Sequence, residues 1–170
     1  MWRAIAALGL GFAAGCTAPV VAPAPPSGEA IAFGAGSGGP ADACFLCHGL
    51  KGEGDGLAPR LAGQSAGYLV KQMEDYSHRW RDHKDMSPIA SRLGDGERIA
   101  VAAYYARLGD RAPGQLSRAI SGWGLYLDGD PERALPPCAQ CHGPRGRGVG
   151  HAYPRLAAQP VEYVSAQLHA

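Results

Sequence analysis

The chain has few aromatic residues, no long apolar run and no excess of either charge. Phe, Trp and Tyr make up only 8% of its 170 residues, so large side chains contribute little to any core. Sixteen basic residues face 15 acidic ones, for a net charge of +1, and no dense basic stripe occurs. That excludes the electrostatic footprint of a nucleic-acid-binding protein. No stretch alternates with the period-2 pattern of a strand. The apolar run at residues 4–14 is too short to cross a bilayer comfortably as a helix.

What is abundant is glycine (25) and proline (14), which predicts loops and short helices. The length suits one ordinary domain or two small ones. Small domains usually need a staple such as a disulfide or a metal. Five cysteines are present: Cys16 alone, and two Cys-x-x-Cys pairs at Cys44/Cys47 and Cys138/Cys141.

Residues 1–15 open with Met-Trp-Arg, continue through an apolar core and end on small residues, the pattern of a secretory signal. Ala13-Ala14-Gly15-Cys16 resembles a bacterial lipobox, in which the cysteine is acylated and anchors the protein to a membrane. Export to the bacterial periplasm is the expected destination. Residues 16–40, with Pro19, Pro23, Pro25 and Pro26 followed by a Gly-rich run, read as a tether that buries no core.

Beyond the tether the second half of the chain repeats the first. Cys44-x-x-Cys47-His48-Gly49 is followed by Gly52, Gly54, Gly56, Pro59-Arg60-Leu61-Ala62, Gln64, Tyr68 and Gln72. Cys138-x-x-Cys141-His142-Gly143 is followed by Gly146, Gly148, Gly150, Pro154-Arg155-Leu156-Ala157, Gln159, Tyr163 and Gln167. The offset is 94 residues at the cysteines and 95 at the prolines. Two tandem domains of one all-α fold follow, over residues 41–110 and 116–170. Helices are expected before each Cys-x-x-Cys-His, over about residues 67–79, over about 96–108 with Asp95 as N-cap and Gly109 as terminator, and from near Pro160.

Cys-x-x-Cys-His is the attachment sequence of haem c. On a helical turn the two thiols reach the two vinyl groups of one haem, and the adjacent histidine lies under the iron. A redox dithiol would want a βαβ context, and a zinc ribbon would want its pairs 15–20 residues apart. Two covalent haems are therefore expected, at Cys44, Cys47 and His48, and at Cys138, Cys141 and His142. Met86, 38 residues after His48, is the expected second iron ligand of the first haem. Met73 lies on a helical stretch that suggests core packing, and His78 and His83 are expected to be solvated. His/Met ligation raises the reduction potential and leaves no open position for substrate.

The second haem has no such methionine, and a counterpart of residues 99–108 is absent. Three readings stand: the sequence is a fragment, the second haem is five-coordinate, or His151 or His169 binds it.

Together these motifs, with Met86-Ser-Pro-Ile-Ala90, Leu93-Gly-Asp-Gly-Glu97 and Ala102-Ala-Tyr-Tyr-Ala106, resemble the tandem dihaem cytochromes c typified by cytochrome c4, over about residues 36–170. The resemblance implies two class I cytochrome c domains, the second lacking its C-terminal helix. It implies a non-enzymatic electron carrier that works with an oxidase or a dehydrogenase. It also implies that the carbonyls of Pro59 and Pro154 hold the rings of His48 and His142, and that Arg60 and Arg155 lie near propionates, simple exposure being the competing reading. The alternative function is a peroxidase-like or gas-binding protein that uses an open second haem.

Overall fold

The computed structural model describes residues 24–109 and 122–170. The expected signal, Cys16 and the interdomain connection lie wholly or largely outside these residues.

Eight helices carry the described fold: α1 (Gly28–Ala30, running on through Ile31–Ala35), α2 (Phe45–His48), α3 (Ala66–Ser77), α4 (Met86–Arg92), α5 (Asp95–Arg107), α6 (Trp123–Asp128), α7 (Cys138–His142) and α8 (Val161–Leu168). Among the described residues β-structure is limited to three isolated bridges, one of them Asp55 with Ala58.

In the first domain α5 is the central element. It buries Val101, Ala102 and Tyr105 against Leu69 of α3 and Ile31 and Ala32 of α1. Asp95 is not its N-cap, contrary to the sequence expectation. Gly94 caps it, and Glu97 turns back to accept the Gly94 N–H at 2.9 Å. Asp95 instead pairs with Arg98 one turn on, at 3.0 Å. An acidic first turn also suits the positive end of the helix dipole.

Helix α1 falls inside the span expected to be a tether. Its residues are small, and that is why it packs: a Cβ on Gly28 would stand 2.0 Å from the carbonyl oxygen of Ala100. Glycine here permits backbone-to-backbone approach to α5 rather than flexibility. Ile31 and Ala32 then become almost wholly buried.

The second domain repeats the α1–α2–α3 part of this plan as α6, α7 and α8. No counterpart of α4 or α5 covers α8 among the described residues. Val161 and Leu168 on α8 are accordingly 77% and 80% exposed.

The two domains meet through paired loops. The side-chain amide of Gln64 accepts the Arg155 N–H at 2.8 Å and donates to the Arg155 carbonyl at 3.2 Å. Gln159 returns the arrangement, accepting the Arg60 N–H and donating to the Arg60 carbonyl, both at 2.9 Å. The glutamines are repeat partners, so the interface has the internal symmetry of the sequence.

Candidate functional site

Each Cys-x-x-Cys-His segment forms one short helix, and this places its two thiols and imidazole on a single turn. The four cysteines of these segments form no disulfide: Cys44, Cys138 and Cys141 are half-buried and Cys47 is exposed. Burial raises the Cys44 thiol above its usual pKa, partly offset by local hydrogen bonds that include the Tyr105 hydroxyl. The preceding helix fixes each segment. In the first domain Phe33 stacks on Phe45 with ring centroids 5.1 Å apart. In the second the Tyr126 hydroxyl donates to the Gly143 carbonyl at 2.6 Å.

The Gly-rich loops then fold back under the histidines in the same way twice. The Gly54 N–H donates to the His48 carbonyl at 2.8 Å, and Gly148 does so to His142 at 2.9 Å. The Gly52 carbonyl accepts from Leu61 and Ala62, and the Gly146 carbonyl from Leu156 and Ala157. Gly54 and Gly148 have φ of +77° and +81°. A Cβ at either would come within 3 Å of the next strand of loop, at Arg60 or Arg155, so these two turns require glycine.

The folded loops bring a proline carbonyl to each imidazole. Nδ1 of His48 lies 2.8 Å from the Pro59 carbonyl, and Nδ1 of His142 lies 2.9 Å from that of Pro154. A carbonyl only accepts, so each Nδ1 carries the proton and donates. Nε2 is left as a lone-pair donor in a fixed orientation. Burial lowers the pKa of His48, with the Pro59 bond opposing, so its ring stays neutral and available to a metal. Paired thiols on one turn beside an imidazole whose Nδ1 is held by a carbonyl and whose Nε2 is left free fit haem c, and they do so in both halves.

The other expected residues fall as follows. Met86 is half-buried and is the first residue of α4. Met73 packs against the core cluster, as expected. His78 is exposed, donates to the Glu74 carbonyl at 2.9 Å and stacks on Trp80. His83 is exposed but has structural work that the sequence did not suggest. Its Nδ1 accepts the N–H groups of Asp85 and Met86, at 3.2 and 3.3 Å, and so caps the helix that begins with Met86. His169 is exposed and bonds its own helix at the Ser165 carbonyl. His151 is exposed and lies against Gly67 of the first domain. Simple surface exposure does not hold for Arg155, which is 6% exposed. Its Nε donates to the Ala157 carbonyl at 3.2 Å, as Arg60 does to Ala62 at 3.1 Å.

The comparisons agree with this geometry. Residues 36–108 match the family described as Cytochrome c. The chain is 43% identical over 149 residues to the thiosulfate dehydrogenase electron acceptor of Stutzerimonas stutzeri, covering 84% of this chain and 69% of that protein. It is 39% identical to cytochrome c4 of Thiocapsa roseopersicina, covering 85% of this chain and 72% of that one. The solved structure of thiosulfate dehydrogenase (TsdBA) from Marichromatium purpuratum superposes with a TM-score of 0.72 at 40% identity, over 84% of this chain and 32% of that chain. The two attachment turns, the two imidazole locks and these relatives have one reading in common: the chain belongs to the cytochrome c4 family of electron carriers, with tandem cytochrome c domains and two covalently bound haems c.

Proposed function

We propose that this chain accepts electrons singly from a periplasmic dehydrogenase and passes them to a further redox protein. A thiosulfate-oxidising enzyme is the preferred donor, since one relative is named as the electron acceptor of thiosulfate dehydrogenase and a structural likeness is to such an enzyme. The observation that carries the reading is the duplicated lock, His48 on Pro59 and His142 on Pro154.

In this reading Cys44 and Cys47 hold the first haem, with His48 and Met86 on its iron. Cys138, Cys141 and His142 hold the second. A haem iron bound there supplies reversible one-electron chemistry. The protein's part is positional. The proline carbonyls hold the imidazoles at fixed angles and raise their basicity. His83 fixes the start of α4 and with it the backbone of Met86. With haem bound, the Met86 thioether together with His48 would favour the reduced iron and so raise its potential. Peroxidase-like chemistry at the second haem is not favoured, because the relatives are named as cytochromes and an electron acceptor.

Acylation of Cys16 in the periplasm would tether this carrier to a membrane beside its partners. None of the described helices is long and apolar enough to cross a membrane.

The test mixes the oxidised dihaem protein with a thiosulfate dehydrogenase and thiosulfate. Both haems should be reduced at a rate proportional to the enzyme added. Reduction no faster than with thiosulfate alone would overturn the proposed donor.

A further inference from the structure

We propose that Arg81 is a positioning residue for electron transfer between the two haem domains, tying the loop after α3 in the first domain to α8 in the second. This rests on the two-haem carrier reading above.

The guanidinium of Arg81 is shared between the repeats. Its Nη1 donates to Gln72 at 2.5 Å, within its own domain. Its Nη2 crosses to the other domain, donating to the Tyr163 hydroxyl at 3.2 Å and to the Gln167 side-chain oxygen. Its carbon lies 5.0 Å from the centre of the Tyr76 ring. Tyr68 stands beside the same group, its hydroxyl pKa raised chiefly by burial and then by Tyr163, with Arg81 opposing.

Two of these residue pairs are repeat partners, Tyr68 with Tyr163 and Gln72 with Gln167. Equivalent acceptors from both halves therefore converge on one cation, which lies past the last repeated position. Among the described residues no carboxylate comes within ion-pair distance of Arg81, so its bonds go to neutral acceptors. Its role here is geometric: one planar fork spans acceptors on two bodies, which a lysine ammonium cannot do in the same way.

The place of this contact makes it matter. The Gln64 and Gln159 clasps lie close together, at the start of α3 and just before α8. These clasps and the contact of His151 with Gly67 all cluster near the start of α3, which leaves the domains free to rock about a line through that cluster. Gln167 is six residues beyond Val161 and so about 9 Å along the helix. The Arg81 contact, lying off that line, removes the rocking. Transfer between two haems depends steeply on their separation and orientation, so a rocking interface slows it.

The experiment uses the full chain carrying both haems. One electron is injected by pulse radiolysis, and its redistribution between the haems is followed by absorption. Arg81→Ala and Arg81→Lys should each slow this step by about tenfold, less than the roughly hundredfold that a misplacement of about 1 Å can cost. The step should also become dependent on solvent viscosity, while haem content and the spectrum of each haem stay unchanged. Should either variant fail to take up haem, Tyr163→Phe combined with Gln167→Leu removes the same cross-domain contacts from the other side and should give the same slowing. An unaltered rate in Arg81→Ala, or in the double variant, would overturn the positioning role. Full rescue by Arg81→Lys would also overturn it, by showing that charge alone suffices. Absence of any inter-haem step in the unaltered chain would instead refute the carrier reading beneath it.

Discussion

Gln64 grips both backbone groups of Arg155 with one side chain, although 91 residues separate them in sequence. The side chain is buried, with only 4% of the residue exposed, so neither bond can be replaced readily by water. Gln159 does the same to Arg60. Cutting Gln64 back to alanine takes the acceptor from the buried Arg155 N–H and leaves the Arg155 carbonyl with the longer Gln159 bond at 3.5 Å, at a cost of about 1–3 kcal/mol. Urea unfolding of the dihaem protein should show this loss, and Gln64→Ala with Gln159→Ala should separate one cooperative transition into two. A single unshifted transition in the double variant would refute the clasp.

Met86 and Met73 make a matched pair. Met86→Leu should remove a sulfur ligand from the first iron and lower its potential by on the order of 100 mV. Redox titration with optical detection reads this directly. Met73→Leu should leave the potential and spectrum as they were, because Met73 packs in the core. Being close in volume, it should cost less than about 1.5 kcal/mol. Equal spectral effects from the two variants would remove the ligand assignment from Met86.

The second attachment turn can be tested by stoichiometry. Replacing Cys138 and Cys141 together with serine should halve the covalent haem, read as haem per polypeptide by mass spectrometry. The same replacement at Cys44 and Cys47 should also halve it. Retention of two haems in either variant would contradict the assignment.

Glu97 predicts an acid-sensitive fastening of the chain before α2. Its carboxylate accepts the Ser37 N–H at 2.8 Å, the Ser37 hydroxyl at 2.7 Å and the Gly94 N–H at 2.9 Å. Burial works against the charged form, yet these bonds prevail and the pKa lies below its usual 4.5. A pKa lowered by folding stabilises the protein above the unfolded value and ceases to do so as pH falls through the folded one. Glu97→Gln should therefore cost about 1 kcal/mol at neutral pH. The difference from the parent should be full well above pH 4.5 and fall away as pH drops below 4.5 and through the lowered pKa of the folded state. A difference independent of pH in paired urea titrations would count against it.

Local chemistry was legible in the sequence. Two thiols and an imidazole within five residues form one short turn, so the presence of two haem c attachment motifs could be read from the sequence. Helices α3, α5 and α8 were also legible to within a few residues, since start signals such as the acidic turn after Gly94 and Pro160 act over one or two turns. The repeat itself was visible, and with it the pairs Gln64 and Gln159, Tyr68 and Tyr163, and Gln72 and Gln167.

What those repeated pairs do was settled by the tertiary structure. They are interface residues, and an interface depends on how two bodies meet, which no local pattern encodes. The same holds for Arg81, whose cross-domain acceptors lie more than eighty residues away. It holds too for Gly28, which reads as flexible in sequence and serves instead as a point of close helix contact. His83 capping Met86 needs only a short reach, but a histidine cap has no reliable sequence signal. The sequence by itself therefore determined the cofactor chemistry, because covalent attachment is local. The tertiary structure decided the mutual placement of the two halves, because burial and cross-domain hydrogen bonds exist only once distant segments are brought together.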